Sequence, residues 1–140
     1  MRTMGLDLGT KTCGVALSDP MGIIARPVVT LRFASDDYAD ALKQVLALIK
    51  PNDVTYIVLG FPKHMNNDIG ISGQYCLRFK ELLEAETDVP ILMWDERLTT
   101  AAAQRILIMA DVSRKKRKQV IDQMAAVQIL QGYLDSRSRY

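Results

Sequence analysis

Along the first eight residues, apolar and small or polar side chains alternate. Met4, Leu6 and Leu8 fall on one side of an extended chain, and Thr3, Gly5 and Asp7 on the other. A period of two is that of a β-strand with two distinct faces. Gly9-Thr10-Lys11-Thr12 turns this strand, Val15-Ala16-Leu17 returns as a second that ends at Ser18-Asp19-Pro20, and Ile23 to Leu31 supplies a third, broken by Pro27. The chain is expected to open as an antiparallel meander.

The period then changes. After Ser35, a residue suited to capping a helix, Tyr38, Leu42, Val45, Leu46 and Ile49 recur at helical spacing until Pro51 ends the pattern. Val54 to Leu59 is a continuous apolar run closed by Gly60, as in a strand covered on both faces. Beyond a polar loop, Tyr75, Phe79, Leu82 and Leu83 mark a second helix, and Val89 to Trp94 a fifth strand carrying Asp95 and Glu96 at its carboxyl end. Thr99 or Thr100 can cap a short alanine-rich helix to Ala110, and Val120 to Leu134 forms the last and most apolar helix. The spacing of Tyr75, Phe79 and Trp94 assigns them to the core rather than to stacking on a substrate. Three strands in hairpin order, then helix, strand, helix, strand and helices, predict an α/β fold with a five-stranded mixed sheet flanked by helices.

Composition narrows the class. A chain of 140 residues, 49% hydrophobic, suits one domain spanning residues 1–140. The net charge of +2 does not by itself argue for nucleic acid, but Arg114, Lys115, Lys116, Arg117 and Lys118 are consecutive. Cys13 and Cys76 lie far apart without a CxxC or a histidine-rich companion, which predicts buried thiols in a reducing cytoplasm and neither a zinc site nor a disulfide framework. Asp7 stands where a signal peptide needs its apolar stretch, and no run approaches the ~20 apolar residues that cross a bilayer. A soluble cytoplasmic protein with no membrane partner is expected.

The acids carry the candidate chemistry. Asp7 and the Asp95-Glu96 pair sit at strand carboxyl ends, where open α/β sheets bind ligands. Asp122 shares a helix face with Ala125, Ala126, Ile129 and Tyr133. Burying carboxylates together is costly unless a cation or a close positive partner offsets the repulsion. The three sites could therefore converge on one divalent cation, or two held ~4 Å apart, oxygen-liganded in the manner of Mg²⁺ or Mn²⁺. Structural readings compete with this one. Asp7 could cap a turn before Gly9, and Asp95-Glu96-Arg97 could be a strand-end ion-pair cluster. Asp122 could pair with Lys118 one turn earlier, for a few tenths of a kcal/mol, which leaves its apolar neighbours unexplained. The basic run could be a solvated face; beside an acid cluster it is expected to hold a phosphate backbone through counterion release, positioning it without reading sequence. Lys11 and Lys63 flank the same sheet end and could meet a phosphate, and Arg97 could hold one or orient the acids. His64, in a polar loop, is read as a surface or substrate-facing residue and not as a ligand.

The stretch Gly5-Leu6-Asp7-Leu8-Gly9-Thr10-Lys11-Thr12 with Gly14-Val15-Ala16-Leu17-Ser18-Asp19 resembles the first motif of the YqgF family, bacterial proteins related to Holliday-junction resolvases and named for pre-16S ribosomal RNA nuclease activity. Gly60-Phe61-Pro62-Lys63 with Met65, Trp94-Asp95-Glu96-Arg97-Leu98-Thr99-Thr100, Ala110-Asp111-Val112-Ser113 with the basic run, and Asp122 through Ala125-Ala126 to Leu134 agree in order over nearly the whole chain. The resemblance implies a ribonuclease-H-like fold in which Asp7, Glu96 and Asp122 are the metal-binding, catalytic acids. The chain departs from the family at Asn67, where a glycine is usual, and at Ile71-Ser72, where a Pro-Arg pair is usual; both bear on substrate grip more than on chemistry.

A metal-dependent nuclease acting on structured nucleic acid is therefore expected, with pre-16S rRNA 5′-end processing implied by the resemblance alone. One cation held by Asp7 and Asp122 would activate a water, and a second shared with Glu96 would stabilise the leaving 3′ oxygen. A resolvase of branched DNA needs two active sites across a junction, so an obligate homodimer would favour it and a monomer would count against it. A non-catalytic RNA-binding assembly factor would keep the fold and the basic surface. The first motif is also similar to the phosphate loop of actin-like ATPases, enzymes that close two domains around a nucleotide.

Overall fold

The alternating segment at the amino terminus becomes the middle strand of a five-stranded mixed sheet. In the computed structural model the strands are β1 (Arg2–Leu8), β2 (Thr12–Ser18), β3 (Ala25–Arg32), β4 (Val54–Phe61) and β5 (Ile91–Asp95), and the helices are α1 (Tyr38–Ile49), α2 (Ile71–Glu86) and α3 (Arg114–Arg137). The structure describes residues 1–61, 71–95 and 114–137, with residues 71–72 and 114–123 described by backbone alone. The order across the sheet is β3-β2-β1-β4-β5. β1, β2 and β3 form the antiparallel meander; β4 pairs parallel with β1, and β5 parallel with β4.

The two faces of the sheet bury different helices. Met4 and Leu6 of β1, Cys13, Val15 and Leu17 of β2 and Ile57 and Leu59 of β4 pack with Ala41 and Val45 of α1 and Phe79 and Leu83 of α2. On the other face Ala16, Ala25 and Val58 lie beneath Ala126, Ile129, Leu130, Tyr133 and Leu134 of α3. Removing a large apolar side chain from water contributes about 1.5–3 kcal/mol, so each face supplies its own share of the core. β4 contributes to both clusters, which is why its sequence is a continuous apolar run.

One glycine sets how close α3 comes to the sheet. A Cβ at Gly5 would lie 2.7 Å from Leu130 Cβ and 3.0 Å from the Ala126 carbonyl oxygen. Only a residue without a side chain lets the helix rest on β1 here. At the other end of the strand, Thr3 lines a small cavity with Leu134 and Arg137. α3 therefore runs antiparallel to β1, and following it toward its amino terminus leads from Thr3 past Gly5 toward Asp7.

Several boundaries differ from the sequence reading, each for a local reason. The cap of α1 is Asp37, whose side chain accepts from the Asp40 N–H, because Ser35 is followed by a left-handed residue, Asp36 (φ 61°), whose N–H donates to the Thr10 carbonyl. β3 begins at Ala25 and not at Ile23, since the Asp19 carboxylate accepts from the N–H groups of Met21, Ile23 and Ile24 and holds them in a turn. Pro27 is accommodated at an edge strand, beside a register shift in which Val15 faces Val29 but Ala16 faces Pro27, leaving Val28 as the extra residue of a bulge. β5 runs Ile91–Asp95, after Pro90. α3 reaches back to Arg114 and not only to Val120, because lysine and arginine favour helix without adding to its apolar periodicity. The expected helix ending at Ala110 lies outside the described residues.

Candidate active site

Asp7, half-buried near the end of β1, lies on the same side of its strand as Gly5, the side that α3 covers. Its neighbours across the sheet are both glycines. Gly14 is its antiparallel partner, and because Leu6 lies beside Leu59 in the parallel pair, Gly60 comes beside Asp7 one residue on. Adjacent strands are ~4.8 Å apart, and flanking side chains on one face normally touch. Here neither flanking position carries a side chain, so the Asp7 carboxylate is not crowded from within the sheet. Sequence reading missed this role of Gly14 and Gly60; the signal for it is a glycine inside an otherwise apolar strand, twice, at the level of the acid.

The backbone of α3 brings Asp122 to the same place. Ala126 meets Gly5, and one turn toward the amino terminus advances the helix by ~6 Å, while Gly5 to Asp7 advances the strand by ~6.6 Å in the same direction. Position 122 is therefore level with Asp7 on the same face. Its helix neighbours Ala126, Ile129 and Tyr133 are buried against the sheet, as their spacing predicted.

Asp95 is placed differently. It sits beside Phe61 at the end of β5, following Ile91 and Met93, which pack into the cluster under α1 and α2, whereas Leu92 and Trp94 pack under α3. The two-residue period sets Asp95 on the face opposite Asp7. Glu96, Arg97, Lys63, His64 and the segment 66–68 lie outside the described residues. Lys11 is exposed in the turn between β1 and β2, at the same sheet end as Asp7; the turn is tied down by Phe33 N–H donating to the Lys11 carbonyl. Among the described residues no three His, Cys, Asp or Glu side chains gather to hold a metal, and only Asp7 of the three expected ligands has a described side chain.

An aromatic group fixes the other half of α3. Trp94 stands edge-on to Tyr133 at 6.2 Å, Tyr56 stacks on Tyr133 at 5.5 Å with ring planes 10° apart, and the Arg137 guanidinium lies 5.7 Å from the Tyr133 centroid. Gly132 makes room for the indole: a Cβ there would be 3.3 Å from it. The side-chain amide of Gln131 accepts from the Ala25 N–H and donates to the Ile23 carbonyl, clamping the β2–β3 hairpin to the helix. Trp94 thus has the core role that its spacing predicted, as does the fully buried Phe79; Tyr75 lies 5.3 Å from Tyr38, half-buried at the edge of that core. On the opposite face from Asp7, burial pushes the Cys13 thiol far above its ordinary range, and the charges of Asp7 and Cys76 raise it further. Cys13 and Cys76 are both buried thiols in no disulfide, as expected.

A five-stranded mixed sheet in this order, with an acid on its middle strand and a long helix laid across that acid's face, is a ribonuclease-H-like arrangement of the kind found in junction resolvases. The chain aligns with RuvC of Thermus thermophilus, solved in complex with a Holliday junction substrate, at a TM-score of 0.63 and 12% identity over 99% of this chain and 96% of that one. It aligns with the fowlpox virus Holliday junction resolvase at a TM-score of 0.61 and 12% identity, over 98% of this chain and 99% of that one. These likenesses establish the fold.

Sequence establishes the family. The chain belongs to the RuvX family, whose model, described as Holliday junction resolvase, matches residues 1–136. A Bacillus subtilis (strain 168) protein named "Putative pre-16S rRNA nuclease" is 56% identical over 138 residues, covering 97% of this chain and 99% of its own. A relative of the same name from Staphylococcus haemolyticus is 55% identical over 136 residues, covering 96% of each. The protein is accordingly a nuclease, a hydrolase of phosphodiester bonds. No helix among the described residues is long and apolar enough to cross a membrane.

Proposed function

We propose that this nuclease is metal-dependent and cleaves structured RNA, pre-16S rRNA being the substrate class that its relatives' names indicate and its 5′ end the part that the sequence resemblance implies. The observation that carries the site assignment is the one-sided placement of Asp7: on the α3 face, between two glycines, level with position 122. Asp7, Glu96 and Asp122 are the proposed ligands and catalytic acids. Asp95, on the opposite face, makes way for the next residue in the chain, Glu96, as the second acid. An all-carboxylate donor set suits a hard, hydrated cation such as Mg²⁺ or Mn²⁺. When bound, such a cation supplies Lewis-acid stabilisation of the phosphoryl oxygens and a deprotonated water.

The three carboxylates would repel a phosphodiester, and the nearby cations offset this. Lys11 stands at the same sheet end. In α3, at 100° per residue, positions 115 and 118 fall within about 40° of position 122, while 116 and 117 fall on the far side of the helix. Lys115 and Lys118 are accordingly the members of the run proposed to hold phosphate beside the acids, with Arg114, Lys116 and Arg117 adding to the general field. Lys63 and Arg97 are assigned to the same substrate-holding role from sequence.

The test is cleavage of a structured pre-16S 5′ fragment and a four-way DNA junction, side by side, in Mg²⁺, Mn²⁺ or chelator. Cutting of the RNA, abolished by chelation, supports the proposal. Cutting of the junction alone, by a dimer, establishes instead the resolvase reading that the family description favours. Binding of RNA without cleavage in either metal would favour the assembly-factor reading.

A further inference from the structure

Across the sheet, the strand register sets five residues in one row: Thr30 of β3, Gly14 of β2, Asp7 of β1, Gly60 of β4 and Trp94 of β5. Directly paired residues point their side chains to one face, so Thr30 and Trp94 stand on the α3 side with Asp7. The neighbours of Thr30 in its strand, Val29 and Leu31, pack instead into the cluster under α1 and α2. Among the described residues, the buried side-chain polar atoms without a hydrogen-bond partner are Thr30 Oγ1 and Trp94 Nε1, the two outer members of this row. The indole nitrogen belongs with the second half of α3, since it faces Gly132, where a Cβ would lie 3.3 Å from it, and its ring meets Tyr133. The Thr30 hydroxyl has no such account.

Leaving a hydroxyl buried and unbonded costs about 1–3 kcal/mol. Valine has the same shape, favours strands and needs no partner, and the two preceding residues, Val28 and Val29, are valines. A threonine at this position therefore calls for a use of its oxygen. The row supplies one. Gly14 has no side chain, so nothing from β2 stands between Thr30 and Asp7 on this face. With each antiparallel pair ~4.5–5.5 Å apart at Cα, the two residues lie ~10 Å apart. Side chains leaning inward over the glycine leave a gap that one water, making two hydrogen bonds of about 2.8 Å, spans. A buried water needs at least two polar partners, and a hydroxyl and a carboxylate provide them. α3 reaches the same level: from Ala25, bonded to Gln131, five residues of β3 advance ~16.5 Å, or ~11 residues of helix, into the turn that carries position 122.

We propose that Thr30 is a positioning residue for Asp7: its hydroxyl donates to a water held over Gly14, and that water donates to the Asp7 carboxylate. The bridge fixes the orientation in which Asp7 meets a divalent cation. Thr30 touches neither substrate nor metal, because its oxygen is sealed from solvent and stands one water away from the acid. The inference rests on the proposed role of Asp7 as a metal ligand and names the partner behind it. Outer partners of this kind orient the ligand, and removing one typically weakens metal binding by about 10–100-fold.

The test is Mn²⁺ binding to the full chain without nucleic acid, followed by loss of the free-ion electron paramagnetic resonance signal, in the wild type, Thr30→Val, Thr30→Ser and Asp7→Asn. Asp7→Asn should lose binding. Thr30→Val should bind Mn²⁺ about tenfold or more weakly, whereas Thr30→Ser, which keeps the hydroxyl, should stay within about threefold of the wild type. Thr30→Val should melt close to the wild type without metal and bind RNA equally well in chelator, which separates the effect from folding and from substrate grip. Wild-type Mn²⁺ affinity in Thr30→Val, or equal weakening in the valine and serine variants, overturns the role of the hydroxyl while the site reading stands. A Thr30→Val protein that melts far below the wild type makes the hydroxyl structural and overturns it too. Unchanged Mn²⁺ binding in Asp7→Asn overturns the site reading itself, and this inference with it.

Discussion

Substituting Gly5 by alanine adds one methyl group where α3 touches β1, and the structure gives the consequence a size. The new Cβ would sit 2.7 Å from Leu130 Cβ and 3.0 Å from the Ala126 carbonyl oxygen, against an ordinary contact of 3.4–4 Å. Neither neighbour is the free end of a flexible side chain, so the helix has to retreat from the strand by roughly 1 Å. Overpacking of this kind costs about 1–3 kcal/mol, offset by about 0.4–1 kcal/mol from the stiffer unfolded chain. A net loss of about 1–2 kcal/mol is expected, read from the urea midpoint. The larger effect is on turnover. Ala126 is one turn from position 122 and Gly5 is two residues from Asp7, so the same retreat separates the two acids proposed to share a cation, and a displacement of ~1 Å at a reacting centre can cost about 100-fold in rate. Gly22→Ala is the matched control: Gly22 has φ +74° with nothing within 4 Å of a built Cβ, so it costs about 1 kcal/mol through backbone strain alone. Single-turnover cleavage at saturating metal should fall about 100-fold in Gly5→Ala and stay within twofold in Gly22→Ala. Wild-type cleavage and stability in Gly5→Ala would refute the claim that this contact sets the geometry of the site.

Two further outcomes follow from single side chains. Gln131→Leu removes the bonds to the Ala25 N–H and the Ile23 carbonyl, and should cost about 1–2 kcal/mol while speeding hydrogen exchange in the β2–β3 connection before the rest of the sheet; unchanged exchange there would show that the clamp is idle. Cys13 is held protonated in the folded state by burial, whereas in the unfolded chain its thiol ionises at its ordinary value of about 9.0. The unfolded state therefore loses protons first, so stability is unaffected below about pH 9 and then falls by up to about 1.4 kcal/mol per pH unit. Urea midpoints between pH 8 and 10.5 should show this slope in the wild type and less of it in Cys13→Ala; equal slopes would assign the alkaline loss to other groups.

What the sequence revealed and what it hid divide along physical lines. The alternation of Met4, Leu6 and Leu8 against Thr3, Gly5 and Asp7 was legible because each set meets a different helix layer, and the apolar run of β4 was legible because both layers cover it. The start of α3 was not, because Arg114 to Lys118 have helical propensity but no apolar period. Asp37 displaced Ser35 as the cap of α1 through a long-range bond, Asp36 N–H to the Thr10 carbonyl, that no local pattern encodes. In the site, the acid on the middle strand and the buried face of α3 that Ala126, Ile129 and Tyr133 share could be read from periodicity. The separation of Asp95 from Asp7 was also implicit in the period of two, but it became visible only when Met93 and Trp94 were seen packing on opposite faces. The glycines at 5, 14 and 60 read as strand interruptions in one dimension; in three they are what lets a helix and an acid share one face.

The most direct test of the site is metal-dependent cleavage of the structured RNA substrate by Asp7→Asn, Glu96→Gln, Asp122→Asn and Asp95→Asn, with each protein's folding checked by its melting curve. The first three should fold and lose cleavage by three orders of magnitude or more, while Asp95→Asn should stay within about tenfold of the wild type, because its side chain belongs to the other face of the sheet. Full activity in Asp7→Asn, or an Asp95→Asn enzyme as dead as Glu96→Gln, would contradict a site built on the α3 face.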